Sequence, residues 1–170
     1  MFAIRRWLTA LARRQRPLSD ECAAGLAALA AGRYDEACTA FSVALGAAAG
    51  LRGERLRLQA LNKRGVAHVC AGRRAEALAD FQAALALDPR FAPARVNVGN
   101  IHLEEGRLAE AIASYEAAIR GDDRYAPAYA NLGVAYRRLG EYDKSVRALK
   151  IAARLEFGIG PLSRGGLGRA

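Results

Sequence analysis

An all-α solenoid of about four helix–turn–helix repeats is expected, on three observations. Glycines recur at Gly65, Gly99 and Gly133, at one constant interval, and Gly25 precedes the first of them by a slightly longer one. A second set, Gly32, Gly72, Gly106 and Gly140, breaks the chain shortly after each. Beyond each break the same sizes return. A small residue (Ala37, Ala77, Ala111, Ser145) precedes a ring or bulky residue (Phe41, Phe81, Tyr115, Leu149) and then another small one (Ala44, Ala84, Ala118, Ala152). Offsets of three and four put such residues on one helical face. A glycine on the first helix lets the second lie close. One such hairpin cannot bury its whole apolar surface, so neighbours must stack on it.

This period and these slots resemble the tetratricopeptide repeat, over about residues 18–155. The resemblance implies a right-handed α-solenoid and a peptide- or protein-binding scaffold, and it names no partner.

Residues 1–17 form a basic amphipathic segment. Ile4, Trp7, Leu8 and Leu11 share one helical face, Arg5, Arg6, Arg13 and Arg16 lie across from it, and Pro17 ends it. Arg5 and Arg6 interrupt the apolar run, which makes a poor secretory signal. Four readings stay open: a membrane-surface anchor, a helix docking on protein, an organellar presequence, or a solvated, frayed end. The first repeat, 18–51, has Ser19 or Asp20 as N-cap and a degenerate first helix, with Ala24 and Ala28 in slots where a large apolar residue and a tyrosine are usual. An insertion at 52–57 follows the glycine-rich stretch 46–53, and a lengthened helix is expected to start near Glu54. The second repeat, 58–91, stops at Asp88-Pro89, because proline cannot continue a helix. The third, 92–125, and the fourth, 126–155, open with Pro93 and Pro127 in the first turn, where a missing N–H costs nothing. Residues 156–170 carry five glycines and a proline and read as a flexible tail.

The net charge is +9, of which residues 1–17 supply +5 through five arginines and no acid. The repeats are nearly balanced, as a solvated surface is. Few aromatics interleave with the arginines, which argues against nucleic acid as a partner. An anionic membrane surface remains an alternative partner for the amino terminus. Cys22, Cys38 and Cys70 show no ligand spacing, and three thiols in a helical repeat suit a reducing, cytoplasmic setting, peripheral to a membrane if the amino terminus anchors there.

No catalytic set is legible. His68 and His102, one repeat apart, fill the slot of Tyr136, which in this family packs inside the repeat, so a hydrogen-bonded histidine is expected rather than a metal ligand. GxGxxG, phosphate-loop, GxSxG and HExxH motifs are missing. Neither enzyme activity nor a cofactor or metal is expected.

The resemblance places the concave surface on the first helix of each repeat. It comprises Cys22, Leu26 and Leu29; then Asn62, Lys63, Val66 and Val69; then Val96, Asn97, Asn100 and Leu103; then Ala130, Asn131, Val134 and Arg137. An apolar floor interrupted by amides suits an amphipathic helix or an apolar peptide. Some relatives clamp a carboxylate with lysines and asparagines. Here Cys22 and Leu26, or one repeat later Asn62 and Val66, occupy those slots, and the clamp fails. At the far end, Val146, Leu149, Ala153 and Leu155 would be left uncovered, since Gly158, Gly160 and Pro161 forbid another helix. Self-association there, or a tail folded back through Phe157, Ile159 and Leu162, would cover them. The function expected is a protein-interaction scaffold; a peripheral membrane protein acting through its arginines is the alternative.

Overall fold

The computed structural model describes residues 18–47 and 53–158, and they form eight α-helices with no strand among them. Ile4, Arg5, Arg6, Trp7, Leu8, Leu11 and Arg13 lie outside the described residues. The helices are α1 (Leu18–Ala30), α2 (Tyr34–Ala47), α3 (Glu54–Cys70), α4 (Arg74–Leu87), α5 (Ala92–Glu104), α6 (Leu108–Gly121), α7 (Ala126–Arg138) and α8 (Tyr142–Phe157). They pair as four antiparallel hairpins, each packed on the next. The result is a helical-repeat solenoid.

Each hairpin turns at its break glycine. Gly72, at φ +77°, sits in the left-handed region that a side chain resists, and the backbone N–H of Arg73 returns to the His68 carbonyl at 2.8 Å. Between repeats, Asp88 and Asp122 are extended. Their carboxylates accept the N–H of Arg90 and Arg124 at 2.8 and 3.0 Å, turning the chain into the next helix.

The glycine-and-ring slots are where the core sits. A methyl added at Gly99 would lie 2.6 Å from the Tyr115 ring, and one at Gly65 would lie 2.5 Å from Phe81. Each ring therefore sits directly against bare backbone. Phe41, Phe81 and Tyr115 are fully buried, and truncating a ring like these costs about 3–5 kcal/mol. The fourth repeat has Leu149 on Gly133, and Ser145 donates its hydroxyl to the Gly133 carbonyl at 2.7 Å.

Two boundaries differ from expectation or extend it. The helix after the insertion, α3, has 17 residues against 13 in α5 and α7, so its first turn projects beyond the repeat frame. The last helix does not end at Leu155. It continues through Glu156 and Phe157 to Gly158, whose φ of +63° closes it with a left-handed cap. Glycine stops a helix from the position after its end, so the two residues before it stay helical. On α8, Val146 (50% exposed) and Phe157 (74%) face solvent. Leu78 and Leu85 of α4, and Ile112 and Ile119 of α6, instead pack into the cores they share with the next repeat.

Candidate functional site

Two cavities lie along the first-helix side. The larger, about 400 Å³, is walled by Cys22 and Leu26 of α1, by Gln59, Asn62 and Lys63 of α3, and by Phe91, Pro93 and Tyr125. The smaller, about 180 Å³, lies between α3 and α5, with Val66, Val69, Asn97, Asn100 and Glu104 on its walls. The Asn97 amide N–H donates to Asn62 Oδ1 at 2.8 Å, so the two cavities meet across this pair. Further along, Asn131 donates to Asn100 Oδ1 at 2.9 Å, and the Tyr115 hydroxyl donates to the same oxygen at 2.8 Å. The asparagines thus form a ladder between repeats. Burial pushes the Tyr115 phenol up to about 12, so it remains a donor throughout the neutral range.

This arrangement brings together Asn62, Lys63, Val66, Val69, Asn97 and Asn100. It removes others from the groove. Val96 (4% exposed) and Leu103 (9%) belong to the core between the third and fourth repeats and cannot floor a groove. The cause is the approach of α7 to α5, which covers them; Arg138 reaches over to donate to the Leu103 carbonyl at 3.0 Å. Asn62 itself is only 8% exposed, and its Oδ1 already accepts from Asn97. Val134 packs against the same core, while Arg137 is exposed and lines neither cavity.

Sequence reasoning missed Gln59, Phe91, Pro93 and Tyr125. The signal was present: Phe91 and Tyr125 stand one repeat period apart, as do Gln59 and Pro93. Curvature of the stack brings Tyr125 to the same cavity as α1. Burial raises its phenol, with Asp122 adding to the effect.

A second polar cluster joins α2, α3 and α4. Arg64 grips Asp80 through two bonds of 2.9 and 2.6 Å and reaches Ser42 Oγ at 2.9 Å. Arg73 donates to Asp35 at 2.6 Å, to His68 Nδ1 at 3.0 Å and to Cys38 Sγ at 3.4 Å. Nδ1 of His68 is therefore an acceptor. Burial lowers the His68 pKa, Arg73 and Arg64 add to that, and Asp80 and Glu76 oppose it. His102 lies likewise against the arginine five positions on, Arg107, at 2.7 Å. The two histidines are half-buried and arginine-paired, each within its own repeat. Among the described residues no group of three or more metal-ligating side chains is gathered, and no helix is long and apolar enough to cross a membrane.

Tetratricopeptide repeat family models match residues 62–128 and 102–156, together more than half of the chain. The chain belongs to the tetratricopeptide repeat family. No curated protein sequence is detectably similar to it. Its fold is similar to several solved tetratricopeptide structures. A crystal structure of MamA superposes with a TM-score of 0.65 at 22% identity, covering 92% of this chain and 88% of that one. YrrB, described as a TPR protein with an unusual peptide-binding site, gives 0.59 at 23% identity, covering 91% and 84%. The second TPR of Spaghetti (RPAP3), bound to the HSP90 peptide SRMEEVD, gives 0.55 at 20%, covering 62% and 99%. At these identities the likeness carries the fold alone.

Proposed function

We propose that the concave face binds an apolar-faced helix or extended peptide of a protein partner, as a scaffold and without catalysis. The observation that carries this is the pair of adjoining cavities: apolar walls from Leu26, Val66, Val69, Phe91 and Tyr125, bordered by asparagine amides. Apolar walls give affinity, and the amides orient a main chain. Family relatives with a bound peptide or a peptide-binding site support the reading. The HSP90 peptide in one of them is acidic, whereas here Cys22 and Leu26 stand in the clamp slots, which favours an apolar ligand. The test is selection from a displayed peptide library on the full chain, with hydrogen exchange mapping of the winners. Apolar peptides protecting α3 and α5 are expected. Enrichment of acidic tails, or protection confined to α2, α4 and α6, would overturn it.

A second surface concerns α8. Its outward Val146 is exposed where its counterparts, Leu78 in α4 and Ile112 in α6, pack into the core, and Leu149, Ile151 and Phe157 are exposed on the same helix. A second copy stacked on this end would bury them. Sedimentation of the wild type and of Val146→Glu, Leu155→Glu decides: a wild type that stays monomeric at high concentration removes the stacking.

A further inference from the structure

Seventeen residues precede α1 in the chain. Along α1, Cys22 and Leu26 wall the larger cavity, and Leu29 follows on the same helical face; Cys22 and Leu29 are already partly packed on the first core. Leu26 is left 45% exposed there, a large apolar side chain without cover. The residues ahead of α1 carry their own apolar row, Ile4, Trp7, Leu8 and Leu11, and then Pro17. Proline disfavours helix on its amino-terminal side and restricts the residue before it, so the sequence leads one to expect a bend at residues 15–17. A connection of that length joins antiparallel helices.

The spacing on the two sides of that bend matches. Leu11 and Cys22 are equally far from the Arg16–Pro17 bond. So are Trp7 and Leu26, and so are Ile4 and Leu29. Folded back as a helix, residues 1–14 would therefore set each apolar residue level with one of the α1 row. The lengths agree: fourteen residues span about 21 Å, and α1, with 13, spans about 20 Å. Arg5, Arg6 and Arg13 would then point away from the contact, to solvent.

We infer that residues 1–14 dock antiparallel on α1, with Trp7 over Leu26 at the mouth of the larger cavity. The first-repeat end of the groove is then held by the chain's own amino-terminal segment. The inference rests on the groove reading above and sharpens it. A partner would find the smaller cavity, between α3 and α5, open, and would have to displace Trp7 to take the larger.

Trp7 is the only tryptophan, so its fluorescence reports on this contact alone. In the full chain its emission is expected to be blue-shifted from that of the denatured chain, with iodide quenching several-fold weaker. Neither should change on dilution or with anionic vesicles. Leu26→Glu, at a side chain already half-exposed, should restore solvated emission and full quenching with the circular dichroism unchanged. Val43→Glu, at an exposed α2 position off the row, should do neither. Solvated emission in the wild type, a shift lost on dilution (a neighbouring copy), a shift seen only with anionic vesicles (a membrane surface), or equal effects of the two substitutions would each overturn it. Solvated Trp7 with library peptides still protecting α3 and α5 would defeat this inference alone. Shielded, Leu26-dependent Trp7 with no peptide enriched would defeat the groove reading alone.

Discussion

Between the first and second repeats the polar seam is ionic: Arg64 spans Asp80 and Ser42, and Arg73 spans Asp35, Cys38 and His68. Between the third and fourth repeats its centre is a neutral ladder of Asn100, Asn131 and the Tyr115 hydroxyl, flanked by single bonds from Arg138 to the Leu103 carbonyl and from the Tyr136 hydroxyl to Glu116. Beneath both, a bulky side chain lies on a bare glycine, a ring in the first three repeats and Leu149 in the fourth. The repeat frame therefore sets the register, and the seam chemistry is free to vary over it. The seams should differ in how they fail. An ion pair with one partner buried has been desolvated, and removing one member leaves the other stranded. An amide ladder loses one neutral bond at a time.

Removing what the seams share should have the largest effect. Gly99→Leu drives a side chain into the Tyr115 ring and is expected to cost more than about 3 kcal/mol, read as a lowered urea midpoint. A wild-type midpoint would mean the hairpin register is wrong. Next comes Asp80→Ala. The Asp80 side chain is 7% exposed and Arg64 24%, so the loss should be about 2–3 kcal/mol, the lower end reflecting Arg64's contact with water. The double change Arg64→Met, Asp80→Leu should recover most of it; a double mutant as weak as the sum of the singles would deny the pairing. Tyr115→Phe, on the neutral seam, should cost only about 1 kcal/mol.

The smallest effects separate the seams by pH. The His68 pKa lies below its usual value near 6.5, because burial disfavours the charged ring. Its contribution is therefore complete above pH 6.5 and is lost as pH falls through the folded value. His68→Gln should flatten the acid limb of a stability–pH curve. Tyr115 is raised from 10 to about 12, so its contribution is complete below pH 10 and fades between 10 and 12. Tyr115→Phe should remove its share of the alkaline limb and leave the acid limb alone. If either substitution moved the other's limb, the seams would not be independent.

The fold was legible because its strongest constraint is local and repeated: a bare backbone opposite a ring recurs at one spacing, and no other residue fits. The ionic seam was not legible for the opposite reason. One repeat period after Arg64 stands Val98, and one period after Asp80 stands Ser114, so the network exists in one copy and a periodic reading averages it away. Val96 and Leu103 were misplaced because their burial depends on how closely the first helices of adjacent repeats, α5 and α7, approach each other. Phe91 and Tyr125 were visible as a recurrence, yet as residues between helices they gave no sign of facing the cavity.

Leu149 in place of a ring has a mechanical consequence. Phe41, Phe81 and Tyr115 seal their hairpins completely, whereas Leu149 remains 39% exposed on Gly133. In a stack where each unit feels only its neighbours, opening begins where the interface is weakest and where a neighbour is missing. The looser seal falls in α7–α8, the last hairpin among the described residues, so opening is expected there before the sealed hairpins inside the stack. Nearly all of both cavity walls belongs to the first three repeats. The last hairpin can therefore act as a sacrificial end, opening and reclosing under strain while most of the ligand-facing surface stays assembled.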